Sequence, residues 1–201
     1  MRSDLSRRSF LRGSALTTAG ASMANSTSSL FAQTATQNGS AAMGPEPVAL
    51  TLRINGVARS VRVEPRVTLA EVLRGPLGLT GTKIACNRGA CSACTVLLDG
   101  APICSCMMLA VDVGARGVTT IEGLAQGGAL HPVQQAFIDH DALQCGFCTP
   151  GIIMSCAALL DRKPEPNADD VRAAISGHVC RCGTYPHVVS ATLAAAKTQR
   201  G

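Results

Sequence analysis

Eight of the ten cysteines in this 201-residue chain fall into two spaced groups of four. The first group reads C-x4-C-x2-C-x11-C and the second reads C-x2-C-x31-C-x-C. Their members are Cys86, Cys91, Cys94 and Cys106, followed by Cys145, Cys148, Cys180 and Cys182. Four thiolates at one site bind a 2Fe–2S cluster or a structural zinc ion. If the metal is iron, two such sites in one small chain indicate that electrons enter at one site and leave from the other.

The spacing of the first group favours iron. Three cysteines from one loop and a distant fourth are typical of plant-type ferredoxins, whereas structural zinc sites more often use paired C-x2-C knuckles. Small residues between the cysteines let backbone N–H groups approach the sulfur atoms. These residues are Gly89, Ala90, Ser92 and Ala93. Because residues two apart in a strand share a face, the spacing leaves both Cys104 and Cys106 open as the fourth ligand.

The second group is placed at the ends of predicted helices. Cys145 and Cys148 precede one helix, and Cys180 and Cys182 lie between two others. Helix N-termini favour a negatively charged site. The residues alone leave three interpretations open, namely a 2Fe–2S cluster, a zinc ion or a redox-active C-x2-C pair with spare thiols. Cys156 falls on the apolar stripe of a helix, and we predict a buried core thiol there.

The secondary structure predicted around these cysteines changes along the chain, from strands in the first part to helices in the second. Alternating apolar residues predict strands over 48–54 and 57–63, with Val57, Val61 and Val63 in step and a hairpin turn at 55–56. A capping box at Thr68 opens a short helix, and further strands are predicted over 95–98 and 118–121. This order describes a β-grasp ferredoxin.

Helical periodicity follows from residue 131 onward. Four short helices are predicted, opening at Pro132, at 149–150, after the cap Asn167 and at Pro186. Val189, Leu193 and Ala196 are expected on the inward face of the last one. The predicted fold class is therefore α+β, with a ferredoxin-like domain over 48–124 and a small four-helix bundle over 130–198.

Composition limits the classes of function. Aromatic residues make up 2 % of the chain, so bound clusters would have to supply much of the stability that large rings usually give. Four arginines and one aspartate give the first twelve residues +3 of the net charge of +5. A near-neutral remainder with so few rings argues against nucleic-acid binding.

The N-terminus resembles an export signal. Residues 6–12 read S-R-R-S-F-L-R, similar to the twin-arginine pattern S-R-R-x-F-L-K. The stretch that follows is too polar for a membrane span, which needs about 20 predominantly apolar residues. We predict a signal peptide over 1–32, a linker over 33–47 and a periplasmic location without a membrane span. Because this route carries folded proteins, the clusters would be inserted in the reducing cytoplasm before export.

Several motifs together resemble the iron–sulfur subunit of the molybdenum hydroxylase family, which includes xanthine dehydrogenase and aldehyde oxidoreductase. The matching segments are residues 86–96, Cys106 and residues 119–123, 131–137, 144–151 and 180–186. The resemblance covers about residues 48–197. It implies a β-grasp ferredoxin domain followed by a four-helix domain. It also implies two 2Fe–2S clusters, with Cys106 rather than Cys104 as the fourth ligand of the first.

The resemblance further implies an electron-transfer role. A large molybdopterin-binding partner would oxidise the substrate, and the export signal favours an aldehyde. Electrons would pass through the cluster of the helical domain and then the ferredoxin-like cluster to a FAD subunit or a c-type cytochrome. Gln144 and Cys182 would lie against the pterin, and this chain would contribute no catalytic residue.

Three positions depart from the family pattern. Ser92 stands where glycine is usual, His178 stands where asparagine is usual, and Cys104 is additional. We expect His178 to be a solvent-facing loop residue; close to a cluster, its protonation would make the potential depend on pH. Two other functions are compatible with the residues: a free-standing two-cluster electron carrier, and a zinc-stapled binding module without redox activity.

Overall fold

A mixed five-stranded sheet forms the first half of the described part of the chain. The computed structural model describes residues 44–199. The strands are β1 (Val48–Ile54), β2 (Val57–Val63), β3 (Thr95–Leu98), β4 (Ala101–Cys104) and β5 (Gly117–Thr119). Their order in the sheet is β2-β1-β5-β3-β4. Only β1 and β5 run parallel, and the other neighbours are antiparallel.

Local sequence explains the ends of these strands. Asn55 and Gly56 have φ values of 51° and 78°, as a tight hairpin turn between β1 and β2 requires. Asp99 and Gly100 repeat this pattern between β3 and β4, with φ values of 48° and 80°. Helix α1 (Leu69–Arg74) begins at the predicted capping box, in which Thr68 and Glu71 satisfy each other's backbone N–H groups.

Four further helices form the C-terminal half. They are α2 (Pro132–Asp139), α3 (Thr149–Arg162), α4 (Ala168–Ala174) and α5 (Tyr185–Thr198). Asn167 caps α4 as predicted, with its side chain accepting from Asp169 and Asp170 N–H groups. The four helices enclose an aliphatic core around Phe137, which is fully buried. None of the helices within residues 44–199 has the length and apolar character needed to cross a membrane.

The two halves share a packed boundary. All four residues of β3 are buried, so this strand is covered on both faces. Leu97 of β3 packs against Met154 and Ala158 of α3. This contact places α3, the most buried helix, directly against the sheet whose strands β3 and β4 adjoin the first cysteine group.

The structure corrects several predictions. The last strand ends at Thr119 and a 3-10 turn occupies Ile121–Gly123. Val57 is exposed at the hairpin end, although it shares a strand face with buried residues. On α5, Val189 and Leu193 are only half-buried. The side chains that α5 buries are Val188, Ala191, Thr192, Ala195 and Ala196.

The inward face of α5 was therefore predicted one residue out of register, apart from Ala196. Thr192 is tolerated in the core because its hydroxyl donates to the carbonyl of Val188. The predicted signal peptide over 1–32 and most of the predicted linker lie outside the described residues.

Candidate metal centres

The loop of residues 86–94, between α1 and β3, turns sharply three times. Asn87, Gly89 and Ser92 have φ values of 51°, 71° and 55°. Glycine adopts this left-handed region freely, whereas it costs other L-residues about 1–2 kcal/mol. A side chain at Gly89 would also come within 2.9 Å of Met107 Cγ. These turns wrap the loop around its own cysteines.

Backbone N–H groups of this loop point at sulfur. The N–H groups of Arg88 and Ala90 donate to Cys86 Sγ at 3.5 and 3.3 Å. The N–H of Gly89 donates to Cys106 Sγ at 3.4 Å. Such bonds stabilise a thiolate and raise the potential of a cluster that the thiolate holds. The predicted role of the small loop residues therefore has a geometric basis.

The thiols of the first site lie in two pairs. Cys86 lies beside Cys91, and Cys94 lies beside Cys106. Hydrogen bonds lower the pKa of Cys86 to about 7, the largest contribution coming from the Arg88 N–H. Burial raises the pKa of Cys94 to about 12, and the neighbouring Cys106 side chain adds to the effect. The Cys86 thiol therefore loses its proton more easily than an ordinary cysteine, whereas burial favours the protonated form of Cys94. Binding a metal requires the thiolate form of both.

Cys104 takes a different environment from the four predicted ligands. Its Sγ lies 3.9 Å from the carbonyl oxygen of Gly89 and 3.8 Å from the hydroxyl of Ser92. Cys106 instead is buried and accepts the Gly89 N–H. The geometry supports Cys106 as the fourth ligand, because its sulfur receives the hydrogen bond that stabilises a thiolate. The Ser92 hydroxyl therefore contacts Cys104, the additional cysteine, rather than a predicted ligand.

The second site joins two interhelical connections. Cys148 is the N-cap residue of α3, and Cys145 lies exposed just before it. Cys180 and Cys182 lie between α4 and α5. Burial, with a further effect of neighbouring Cys180, raises the pKa of Cys148 to about 12. Burial of Cys180 is outweighed by hydrogen bonds, chiefly from Thr184, which lower its pKa to about 7.

A direct hydrogen bond links the two cysteine loops. The N–H of Val179, next to Cys180, donates to the carbonyl oxygen of Cys91 at 3.2 Å. Gly151 of α3 also lies close to the first cysteine loop, because a side chain there would come within 2.5 Å of Ser92 O. The first and second sites are therefore connected through backbone atoms adjoining candidate ligands in both. Sequence reasoning missed this link, which carries no side-chain signature.

His178 is buried, contrary to the prediction that it faces solvent. It is 5 % exposed, and its Nε2 lies 2.7 Å from the hydroxyl of buried Ser155 on α3. Its Nδ1 is buried without a hydrogen-bond partner. Burial lowers the pKa of His178 to about 4. Its polar partner on α3 explains why a histidine occupies this interior position.

The donor sets fit two-iron clusters better than single ions. A 2Fe–2S cluster takes two protein ligands at each iron, whereas structural zinc takes four around one ion. The thiols of the first site lie in two adjacent pairs, as two irons per cluster require, and in the second site Cys148 lies beside Cys180.

Comparison with known proteins agrees with this assignment. The model of the 2Fe–2S iron–sulfur cluster binding domain matches residues 52–120. That of the [2Fe-2S] binding domain matches residues 120–193. The small subunit of nicotine 6-hydroxylase from Paenarthrobacter nicotinovorans is 47 % identical over 73 % of this chain and 88 % of its own length. The aldehyde oxidoreductase iron-sulfur-binding subunit PaoA of Escherichia coli is 43 % identical, covering 73 % of this chain and 71 % of its own.

Solved structures give the same result. Quinoline 2-oxidoreductase from Pseudomonas putida 86 matches with a TM-score of 0.74 and 44 % identity, over 77 % of this chain and 97 % of that chain. This chain belongs to the family of 2Fe–2S subunits of molybdenum hydroxylases. In the aldehyde oxidoreductase from Desulfovibrio desulfuricans, the TM-score is 0.73 and the identity 45 %, over 76 % of this subunit but only 17 % of that longer chain. The subunit therefore corresponds to one portion of that larger polypeptide.

Family membership confirms several sequence-based predictions. The α+β fold, with a ferredoxin-like domain followed by a second 2Fe–2S-binding domain, is the fold of the subunit. Two 2Fe–2S clusters are its cofactors, so the zinc-stapled alternative is wrong. The individual ligands and the pterin contacts of Gln144 and Cys182 stay predictions. Gln144 is exposed beside Cys145, and Cys182 is half-buried.

Proposed function

We propose that the subunit carries electrons from a large molybdopterin-binding partner, through its helical half and then its sheet half, to an external acceptor. The observation that carries this proposal is the backbone hydrogen bond between Val179 and Cys91 at 3.2 Å. It holds a segment next to one cysteine pair against a candidate ligand of the other site. When bound, the two clusters supply one-electron redox chemistry.

The protein's own groups tune and shield these sites. Around Cys86 and Cys106, backbone N–H groups offset negative charge on sulfur. Around Cys180, the Thr184 hydroxyl at 3.6 Å from Sγ does the same. Cys94, Cys106 and Cys148 are buried, which excludes water from the inner side of each site. We infer that all eight grouped cysteines are cluster ligands.

The surface around the second site suits a partner protein. Phe147, between Cys145 and Cys148, is 47 % exposed, and Val179, beside Cys180, is 61 % exposed. Large apolar side chains around an exposed thiol are typical of surfaces that a partner covers. This feature favours a subunit of a complex over a free-standing electron carrier. We infer that the large subunit covers this face and brings its pterin to Gln144 and Cys182.

Purification of the chain with its genomic neighbours tests the proposal. The complex should contain about four irons per copy of this chain, as two 2Fe–2S clusters require, together with a large molybdenum-binding subunit. Cys182→Ser should abolish turnover although the complex still binds substrate, while Cys104→Ser should leave turnover unchanged. A stable monomer that exchanges electrons without a partner, or normal turnover in Cys182→Ser, would contradict the proposal.

We further propose that a FAD subunit or a c-type cytochrome accepts the electrons, that the substrate is an aldehyde, and that the complex is periplasmic. The location rests on residues 6–12, and the aldehyde assignment rests on the export signal. Replacing Arg7 and Arg8 by lysine should retain the protein in the cytoplasm with both clusters bound. Unchanged periplasmic delivery would overturn the twin-arginine assignment.

A further inference from the structure

The segment of residues 177–180 holds the link between the two cysteine sites, although little of it is packed into a core. The Val179 side chain is 61 % exposed, so apolar burial does not fix its backbone. Its N–H nevertheless donates to Cys91 O at 3.2 Å. Something other than side-chain packing at Val179 must therefore hold this N–H in place.

Polar contacts at both neighbours of Val179 supply that restraint. On one side, His178 Nε2 lies 2.7 Å from Ser155 Oγ, and both side chains are buried. On the other side, the N–H of Cys180 donates to Tyr185 Oη at 2.8 Å. Tyr185 Oη in turn donates to His178 O at 2.9 Å. The segment is thus tied to α3 through a side chain and to α5 through backbone atoms.

Ser155 lies on the same face of α3 that contacts the first cysteine loop. It lies one helical turn after Gly151 on α3, and residues four apart share a helix face. The Gly151 end of that face touches the first cysteine loop, since a side chain there would come within 2.5 Å of Ser92 O. Gly177 also approaches this loop, with its Cβ position 3.3 Å from Ser92 Oγ. One face of α3 therefore sets the positions of both cysteine loops.

We propose that His178 is a positioning residue for electron transfer between the two sites: its contact with Ser155 fixes the Val179 N–H on the Cys91 carbonyl. The inference rests on the proposed electron-transfer function. It assigns a role to a residue that departs from the asparagine usual at this position. The buried imidazole bridges from the 177–180 segment to α3, and Tyr185 alone ties the segment only to α5.

Hydrogen–deuterium exchange of the holoprotein, resolved to Val179 by mass spectrometry, tests the role of His178. In His178→Ala and in Ser155→Ala, exchange at Val179 should accelerate by about tenfold or more, because the contact that restrains the Val179 N–H on its acceptor is lost. Amides in the middle of α3 should keep their protection. The double variant should be no faster than either single variant, since both remove the same contact. His178→Gln, whose amide can bond to Ser155, should restore part of the protection.

His140→Ala, which removes an exposed histidine in the same half, is the matched control and should leave Val179 unchanged. The magnetic interaction between the two reduced clusters, seen by electron paramagnetic resonance, should weaken in His178→Ala and not in the control. Unchanged exchange at Val179 in both single variants would overturn the inference, as would equal acceleration throughout the helical half. Iron analysis of each sample separates these outcomes from failure of the proposed function, which would appear as missing clusters in the unaltered protein.

Discussion

The two cysteine sites solve the same chemical problem with different scaffolds. Each combines a thiol whose pKa is about 7, Cys86 or Cys180, with a buried thiol whose pKa is about 12, Cys94 or Cys148. The first site takes three of its candidate ligands from one loop shaped by left-handed turns. The second takes two from each of two connections between helices. The first is therefore shaped locally, while the second exists only when the helices have packed.

The largest expected effect is on iron content, when the fourth ligand of the first site is replaced. Cys106→Ser should reduce the iron content from about four to about two per chain, because a 2Fe–2S cluster needs four protein ligands. Cys104→Ser should leave about four irons, since its sulfur lies against Gly89 O and the Ser92 hydroxyl. Iron analysis and electron paramagnetic resonance measure both variants. The reverse pattern would make Cys104 the ligand.

Truncating the core of the helical half should separate the two sites in stability. Phe137 is fully buried among the helices, and replacing it by alanine should cost about 3–5 kcal/mol. Denaturant unfolding of the holoprotein should then release the cluster of the second site first. Leu52→Ala, in the core of the sheet half, is the matched control. In that variant the cluster of the first site should be released before the other. Loss of both clusters together in each variant would show that the sites do not differ in this way.

Gly151→Ala should weaken both sites at once. Alanine normally stabilises a helix interior relative to glycine. Here the added Cβ would lie 2.5 Å from Ser92 O and 3.0 Å from Ala93 O, and such overpacking costs about 1–3 kcal/mol. Apparent Tm and iron content should both fall. Gly117→Ala, where the nearest atom lies at 3.5 Å, is the control; a Gly151→Ala variant more stable than the unaltered protein would refute the close contact.

The smallest expected effect is a pH dependence confined to the helical half. Burial lowers the pKa of His131 below its usual 6.5, and its Nδ1 accepts the Val133 N–H at the start of α2. The folded state therefore binds fewer protons than the unfolded state just below pH 6.5, so stability should fall as pH falls through that range. His131→Asn should remove this component of the slope in denaturant titrations at several pH values. An unchanged slope would exclude His131 as its source.

Sequence predicted best what depends on neighbours in the chain. The capping box at Thr68, the helix cap at Asn167, the turn at 55–56 and the buried Cys156 all follow from local patterns. The cysteine spacing indicated two iron–sulfur sites, and the two matched 2Fe–2S-binding domains confirm that number, while the individual ligands stay predictions. Leu193 is only half-buried, because the face that α5 packs inward carries Val188, Ala191, Thr192 and Ala195 instead.

Contacts between distant segments could not be predicted. His178 lies in a loop, as predicted, but its burial against Ser155 on a distant helix carries no local signal. The bond from Val179 to Cys91 uses backbone atoms, which every residue except proline offers equally. Ser92 shows a third limit, because its φ of 55° is set by the loop around it rather than by its own preference.

The burial of β3 on both faces has a consequence for dissecting this protein. A fragment ending near residue 124 would keep every candidate ligand of the first site. It would nevertheless uncover Leu97, which Met154 and Ala158 now cover. An isolated helical fragment would uncover those two side chains in turn. Each fragment would therefore expose apolar side chains that the other half covers. For this reason we expect the two halves to be expressed, exchanged between proteins and engineered only together.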